Sequence, residues 1–202
     1  MVHALDRPHL FSLILPEQIH LTVTPEQFAE LAIANRDLRL ERTSTGVLIV
    51  NPPTGGESGK RNLSIAGQLS SWYEANETLG EAFDSSTGFV LPNGANRSPD
   101  ASWVAKERWE ALTQEQRQGF IPLCPNFVVE LRSKTDSLKN LQQKMQEYQE
   151  NGATLGWLID PQNQRVEIYR PGQGVEILHN PATLSGESTL PGFTLSLKRI
   201  FA

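Results

Sequence analysis

Asp100, in the stretch "RSPDASW", and Glu130, in "FVVELRS", each stand at the end of a short apolar run. If the two runs are neighbouring strands, the two acids can meet around one hard cation. Mg²⁺ suits such a pair, because it takes one or two carboxylates and fills its remaining positions with water and substrate phosphate oxygens; Mn²⁺ accepts the same oxygen donors. The chemistry such a pair serves is phosphodiester hydrolysis, with the metal held against the phosphate, an activated water, and a cation beside the developing charge. Both acids also fit a plainer description, as solvated carboxylates at strand ends.

Two residues could supply the cation. Arg132 shares a face with Glu130, because side chains two apart along a strand point the same way. Lys144 falls between Leu141 and Tyr148 at helical spacing, on the border of an apolar stripe. From there a lysine can lay its stem along apolar surface and carry its ammonium to a strand end, although a solvated lysine fits the same pattern. The choice between Lys144 and Arg132 stays open on these grounds. Glu57, in the Gly-rich "TGGESGKR", is a further acid near a helix start, where negative charge is favoured and a metal could be faced.

Other chemistries fit less well. Counting back from Gly59 and Lys60, a phosphate-binding P-loop needs Gly where Thr54 stands and Ser or Thr where Arg61 stands. The loop therefore reads as a flexible lead into a helix. Histidines occur at positions 3, 9, 20 and 179, without the helical spacing of a zinc protease. "LSGES", around Gly186, lacks the pattern of a serine-nucleophile elbow. A sugar- or nucleotide-handling hydrolase has only the two carboxylates in its favour.

The elements that must position these residues follow from period and punctuation. Residues 1–23 read as an N-terminal arm and residues 24–202 as a single folded domain. "TPEQFAELAIANRDLRLE" is expected to be helical, with Thr24 as cap, Pro25 in the first turn and Gln27 completing a capping box. A strand follows at about 47–50, stopped by two prolines. Residues 60–78 place Ile65, Leu69, Trp72 and Tyr73 on one helical face. "EAFDSSTGFVLPNG" reads as two extended pieces turning at 85–88, and "PDASWV" as the next strand. "KERWEALTQEQRQGF" is expected to be helical to about Gln118, with Gly119 ending it. "NFVVELR" should be a central strand. Residues 137–150 form the clearest helix, capped by Thr135 or Asp136, with Gly152 past its end. "LGWLIDP", "RVEIYRPG" and "GVEIL" complete the set as three strands. No repeat or low-complexity tract interrupts them.

Composition narrows the setting. With 202 residues, 38% hydrophobic and 20% charged, the chain can bury a full core without a covalent staple. Its lone Cys124 excludes an intrachain disulfide framework and favours a reducing, cytoplasmic compartment. No apolar stretch approaches the roughly 20 residues of a membrane span, and "LFSLIL" is too short. The apolar arm "HLFSLIL" fits either pairing in a homodimer or burial within its own subunit. A formal net charge of −5 opposes broad nucleic-acid binding, which rests on phosphate neutralisation, but a local basic groove can coexist with an acidic remainder. Residues 132–144 are the most basic segment, with Arg132, Lys134, Lys139 and Lys144 against Asp136.

Taken together, "PPTGGESGKRN", "FDSSTGF", "LPNGANRSPD", "PNFVVELRS" and "DSLKNLQQKMQEYQENGATLGWLIDPQNQRVEIYRP" resemble the Uma family of restriction endonucleases, abundant in cyanobacteria, within the PD-(D/E)xK nuclease superfamily. The likeness runs from about Thr24 to Phe201. It implies an α/β fold with a restriction-endonuclease-like core, a mixed central sheet flanked by helices. It implies Asp100 and Glu130 as metal-binding acids, Lys144 as the lysine relocated to the following helix, and Glu57 as the extra acid that many superfamily members use. It also implies a Mg²⁺-dependent (or Mn²⁺-dependent) endonuclease acting on DNA. Where the superfamily expects a lysine two residues after the glutamate, this chain has Arg132, which stays protonated and cannot act as a base. Arg132 is then expected to contact phosphate. The alternative is a catalytically silent nucleic-acid or protein binding module on the same fold.

Overall fold

The computed structural model describes residues 20–202. The arm expected at 1–23 lies outside the described residues except for its last four, of which Thr22 forms a bridge to Val47. Helix α1 (Pro25–Ala34) has the capping box read from its sequence, with Thr24 and Gln27 bonding reciprocally. It stops earlier than the pattern suggested. The residues "RLER" form strand β1 (Arg39–Arg42), which pairs antiparallel with β2 (Leu48–Asn51) across a turn in which Gly46 adopts φ +91°.

Helix α2 (Gly56–Glu74) leads to β3 (Gly80–Asp84), β4 (Phe89–Val90), β5 (Asn96–Arg97) and β6 (Ala101–Ala105). The segment expected as one helix up to Gln118 is two, α3 (Lys106–Glu110) and α4 (Gln114–Gln118). They are separated because Thr113 starts a second capping box with Gln116. Then come β7 (Phe127–Leu131), α5 (Leu138–Glu150), β8 (Leu155–Asp160), β9 (Arg165–Tyr169) and β10 (Glu176–His179), and a hairpin of β11 (Thr183–Ser185) with β12 (Thr194–Ser196).

Six strands make the central mixed sheet in the order β10-β9-β8-β7-β6-β3, with β7 and β8 parallel and the other neighbours antiparallel. Four short strands, β2-β1-β5-β4, form a second, antiparallel sheet. Alternation along β7 divides the interior in two. Phe127, Val129 and Leu131 face α2 and the β11–β12 hairpin, with Trp157 and Phe193 in the same cluster. Val128 faces α5, with Leu158, Met145 and Tyr148 around it. Burial of side chains this large contributes roughly 1.5–3 kcal/mol each, which is what seats α5 on the sheet.

Ser137, rather than Thr135 or Asp136, caps α5, accepting from the Asn140 N–H. Asp136 is occupied earlier in the loop, accepting from the Ser133 N–H at 2.7 Å. At position 156 of β8, a Cβ would come within 2.6 Å of Met145 Cε, the free end of that side chain, so glycine leaves room for the methionine as it is packed.

Candidate active site at the end of the central sheet

Asp100 and Glu130 are brought together by strand pairing. Ala101 faces Val129 across the antiparallel β6–β7 ladder, so the next pair outward is Asp100 and Glu130. Both project on the side of the sheet covered by α5, because 100, 102 and 104 on one strand and 128 and 130 on the other share that face. Both are nearly buried. Asp100 Oδ2 accepts the Leu131 N–H at 2.9 Å, and its Oδ1 meets the Arg39 guanidinium at 3.1 Å.

Helix α5 delivers the cation. Lys144 Nζ lies 2.8 Å from Glu130 Oε1 and 2.8 Å from Glu41 Oε1. Tyr148, one turn along the helix, donates its hydroxyl to the same Glu130 Oε1 at 3.0 Å. Residues four apart share a helix face, so one helix grips one carboxylate oxygen from two positions. Glu130 Oε2 accepts no hydrogen bond among the described residues.

Glu41 was not anticipated as part of the site. It comes from β1, where residues two apart send Arg39 and Glu41 the same way, toward Asp100 and Lys144. Its Oε2 lies 3.3 Å from Arg97 Nη1, and its Oε1 also accepts the Ser98 N–H at 3.0 Å. Arg97 in turn bonds Glu147 of α5 at 2.6 Å. A signal for this strand existed in the sequence: "RLER" and "VLIV" flank a Gly-containing turn, as the arms of a hairpin do. Extending the α1 pattern to Glu41 concealed it.

The two glutamates share one ammonium unequally. Burial works against the charge of Glu41, but Lys144 and Arg97 outweigh it and hold the carboxyl below its usual range. Burial also dominates at Glu130, where Asp100 and Glu41 add repulsion that Lys144 only partly offsets, and the carboxyl is pushed up to about 7. Lys144 loses from burial but gains more from Glu130 and Glu41, so its pKa is raised and it stays charged.

A raised carboxyl favours the protonated folded state. The contribution of Glu130 to stability is therefore complete below its ordinary value of 4.5, declines as pH rises toward about 7, and is constant above. At about 1.4 kcal/mol per pKa unit, metal-free protein is expected to lose on the order of 3 kcal/mol from this group between those limits. Glu130→Gln should remove that part of the slope in urea unfolding curves with chelator at pH 5 and pH 8. An unchanged slope in the variant would assign the effect elsewhere.

Two expected site residues are not drawn in. Glu57 sits exposed in the first turn of α2, pairing with Lys60 at 3.0 Å and Arg61 at 3.8 Å, and among the described residues no hydrogen bond or ion pair joins it to Asp100 or Glu130. Its carboxyl is held below the usual range by Lys60 first, then Arg61 and Lys134. The third acid near Asp100 and Glu130 is Glu41, on a strand rather than a helix. Arg132 emerges on the expected face, but its Nη1 is bound to Asp160 of β8 at 2.8 Å and its Nε to the Asp136 carbonyl. The parallel β7–β8 pair puts Asp160 at the same sheet end, so Arg132 joins two strand ends instead of meeting Glu130.

Asp100 and Glu130 offer the donor set that a hard cation takes. They are oxygen ligands, adjacent, buried and mutually repelling, and a divalent charge between them relieves the repulsion. No group of three or more His, Cys, Asp or Glu side chains arranged to hold a metal occurs among the described residues.

A family model described as "Uma2: Putative restriction endonuclease" matches residues 25–198. No curated protein matches the chain. Among solved structures, the chain is similar to one described as a "putative nuclease belonging to DUF820" from Anabaena variabilis ATCC 29413. Identity is 23%, with 80% of this chain and 89% of that chain covered and a TM-score of 0.67. It is distantly similar to the DrdV–DNA complex, at 15% identity over 59% of this chain and 10% of that one, with a TM-score of 0.35. The first likeness shows the mixed α/β fold.

Proposed function

We propose, from the premise that this chain belongs to the Uma2 family of restriction-endonuclease-like proteins, that it is a Mg²⁺-dependent (or Mn²⁺-dependent) endonuclease hydrolysing phosphodiester bonds in DNA. The observation that carries the reading is that Asp100 and Glu130 stand side by side just beyond the last Ala101–Val129 pair of the β6–β7 ladder, with the Lys144 ammonium 2.8 Å from the glutamate. When bound, the metal supplies charge neutralisation at the phosphoryl group and activation of water. Asp100 and Glu130 are the residues to hold it. Lys144 presents a permanent positive charge where the pentavalent phosphorus develops negative charge, or orients the attacking water. Tyr148 helps fix Glu130 by donating to Oε1, which leaves Oε2 without a hydrogen bond among the described residues. Arg39, a third exposed and already on Asp100, is placed to meet a substrate phosphate at the rim.

No helix among the described residues is long and apolar enough to cross a membrane. The single Cys124 is buried and unpaired by any disulfide, which fits a reducing compartment, and action on DNA in the cytoplasm is part of the proposal. Supercoiled plasmid incubated with the protein and Mg²⁺ or Mn²⁺ should be nicked or linearised, and chelator should stop it. Plasmid left intact across both metals and a wide protein range defeats the reading.

A second reading, a binding module without turnover, is favoured by one observation: Arg39 already sits on Asp100 Oδ1, and Lys144 on both glutamates. Calorimetric titration separates the two, because a protein without turnover need not take up Mg²⁺ at Asp100.

A further inference from the structure

Away from Asp100 and Glu130, a groove of about 830 Å³ runs along α2, walled on its other side by the segment that carries β12 and the residues after it. Lys60, Leu63, Gly67 and Trp72 line its helix side, and Lys198 and Arg199 stand on the opposite wall. These helix positions span about 18 Å at 1.5 Å per residue. Three cations line the groove, in a chain whose formal net charge is −5; Lys60 is paired with the exposed Glu57 at 3.0 Å, and Ala202 lies on the wall beside Lys198 and Arg199. The apolar wall includes Leu63, which is 74% exposed, a large apolar side chain left open to solvent.

The polar groups along the walls are already paired with one another. Gln68 takes the Ser196 N–H at 2.7 Å and donates to the Ser196 carbonyl at 3.1 Å, and the Trp72 indole N–H bonds the Pro191 carbonyl at 3.1 Å. The groove therefore offers an occupant positive charge, the open apolar side chain of Leu63 and the part of Trp72 not packed against Trp103 and Phe193, and few free groups for a peptide main chain. Gly67 lies mid-helix, where glycine is unfavourable, and a Cβ added there meets nothing within 4 Å, so the absent side chain widens the groove without any packing need.

The groove also reaches the reactive end of the molecule. Five residues separate the end of α2 from the start of β3, and β3 runs so that Asp84 pairs with Ala101. The first turn of α2 thus lies at the sheet end where Asp100 and Glu130 stand, on the opposite sheet face.

We propose that this groove holds an unpaired DNA strand, with phosphates against Lys60, Lys198 and Arg199 and bases against Leu63 and Trp72, and leads it toward the end of the sheet that carries Asp100. A charged track beside aromatic faces is how sequence-tolerant single-strand binding is built. A duplex keeps its base faces stacked inside and cannot use the apolar wall. The inference rests on the nuclease reading only for the kind of polymer bound.

The test is fluorescence anisotropy of labelled oligothymidine with the full chain in chelator, where no cleavage intervenes. Wild type should bind, and Lys198→Ala with Arg199→Ala should weaken binding about tenfold or more at low salt. The slope of log affinity against log salt should become shallower by about 0.7 for each phosphate no longer neutralised. Gly67→Leu, which fills the groove without a clash at Cβ, should weaken binding several-fold while unfolding in urea no earlier than wild type. The proposal is overturned if wild type does not bind, if these variants bind as wild type does, or if duplex DNA or polyglutamate displaces the strand as well as unlabelled oligothymidine. Plasmid cleavage by the same preparations keeps the two ideas apart. Lost binding in the variants of a protein that never cuts leaves the groove standing without the nuclease, and cutting with unaltered binding leaves the nuclease without the groove.

Discussion

Asp100→Asn is expected to cut plasmid at least about 10³-fold more slowly than the wild-type chain while remaining folded, a loss of about 4 kcal/mol in transition-state stabilisation. The amide keeps an oxygen to accept the Leu131 N–H, so the junction of β6 and β7 retains its buried hydrogen bond. What it loses is the negative charge, and with it one of the two carboxylates proposed to hold the metal and the partner of Arg39. Calorimetry should show Mg²⁺ uptake weakened in parallel, and urea unfolding should show a midpoint near that of wild type. A variant that cuts at the wild-type rate would mean that Asp100 holds no metal and that the cleavage chemistry lies elsewhere.

Lys144→Met should carry the largest stability cost of any single change at the site, about 3–5 kcal/mol at pH 8, because removing one member of a buried ion cluster leaves the others uncompensated. Methionine roughly replaces the lysine stem, so the cost reports charge rather than volume. Glu41 retains Arg97 and the Ser98 N–H, whereas Glu130 retains only the Tyr148 hydroxyl, so the burden falls on Glu130. Its carboxyl, already pushed up to about 7, rises further without the ammonium. The variant should therefore recover much of its stability at pH 5, where Glu130 is protonated, and cleavage should fall by about 10²-fold or more. Equal destabilisation at pH 5 and pH 8 would show that Lys144 is not what sustains the charge of Glu130.

Much of the frame was legible from pattern because each segment carried its own local signal. α1 announced itself by a capping box, α5 by an apolar stripe, and β7 by an apolar run with β-branched residues. The pairing that joins Asp100 to Glu130 follows from two strands whose ends carry acids on the same side. What stayed hidden were features set by partners remote in sequence. β1 was masked by the helical pattern extended from α1, and its Glu41 acquires meaning only beside Lys144, 103 residues away. Arg132 and Lys144 look equally eligible in one dimension, and what pattern could not show is Asp160, which pairs with the arginine from a neighbouring strand. Glu57 had a favourable position at a helix start, but Lys60 and Arg61 on the same helix claim it locally. The hairpin of β11 and β12 went unread because three-residue strands leave no alternation to count.

The bare position at Gly156 has a consequence for judging relatives by their signature residues alone. Met145 occupies the space a side chain would fill there, and Lys144 is its immediate neighbour on the helix. A homologue with every acid and the lysine intact, but with valine or leucine at this point, would have to repack the Met145 side chain beside Lys144, so the acids and the lysine alone do not fix the setting of the ammonium.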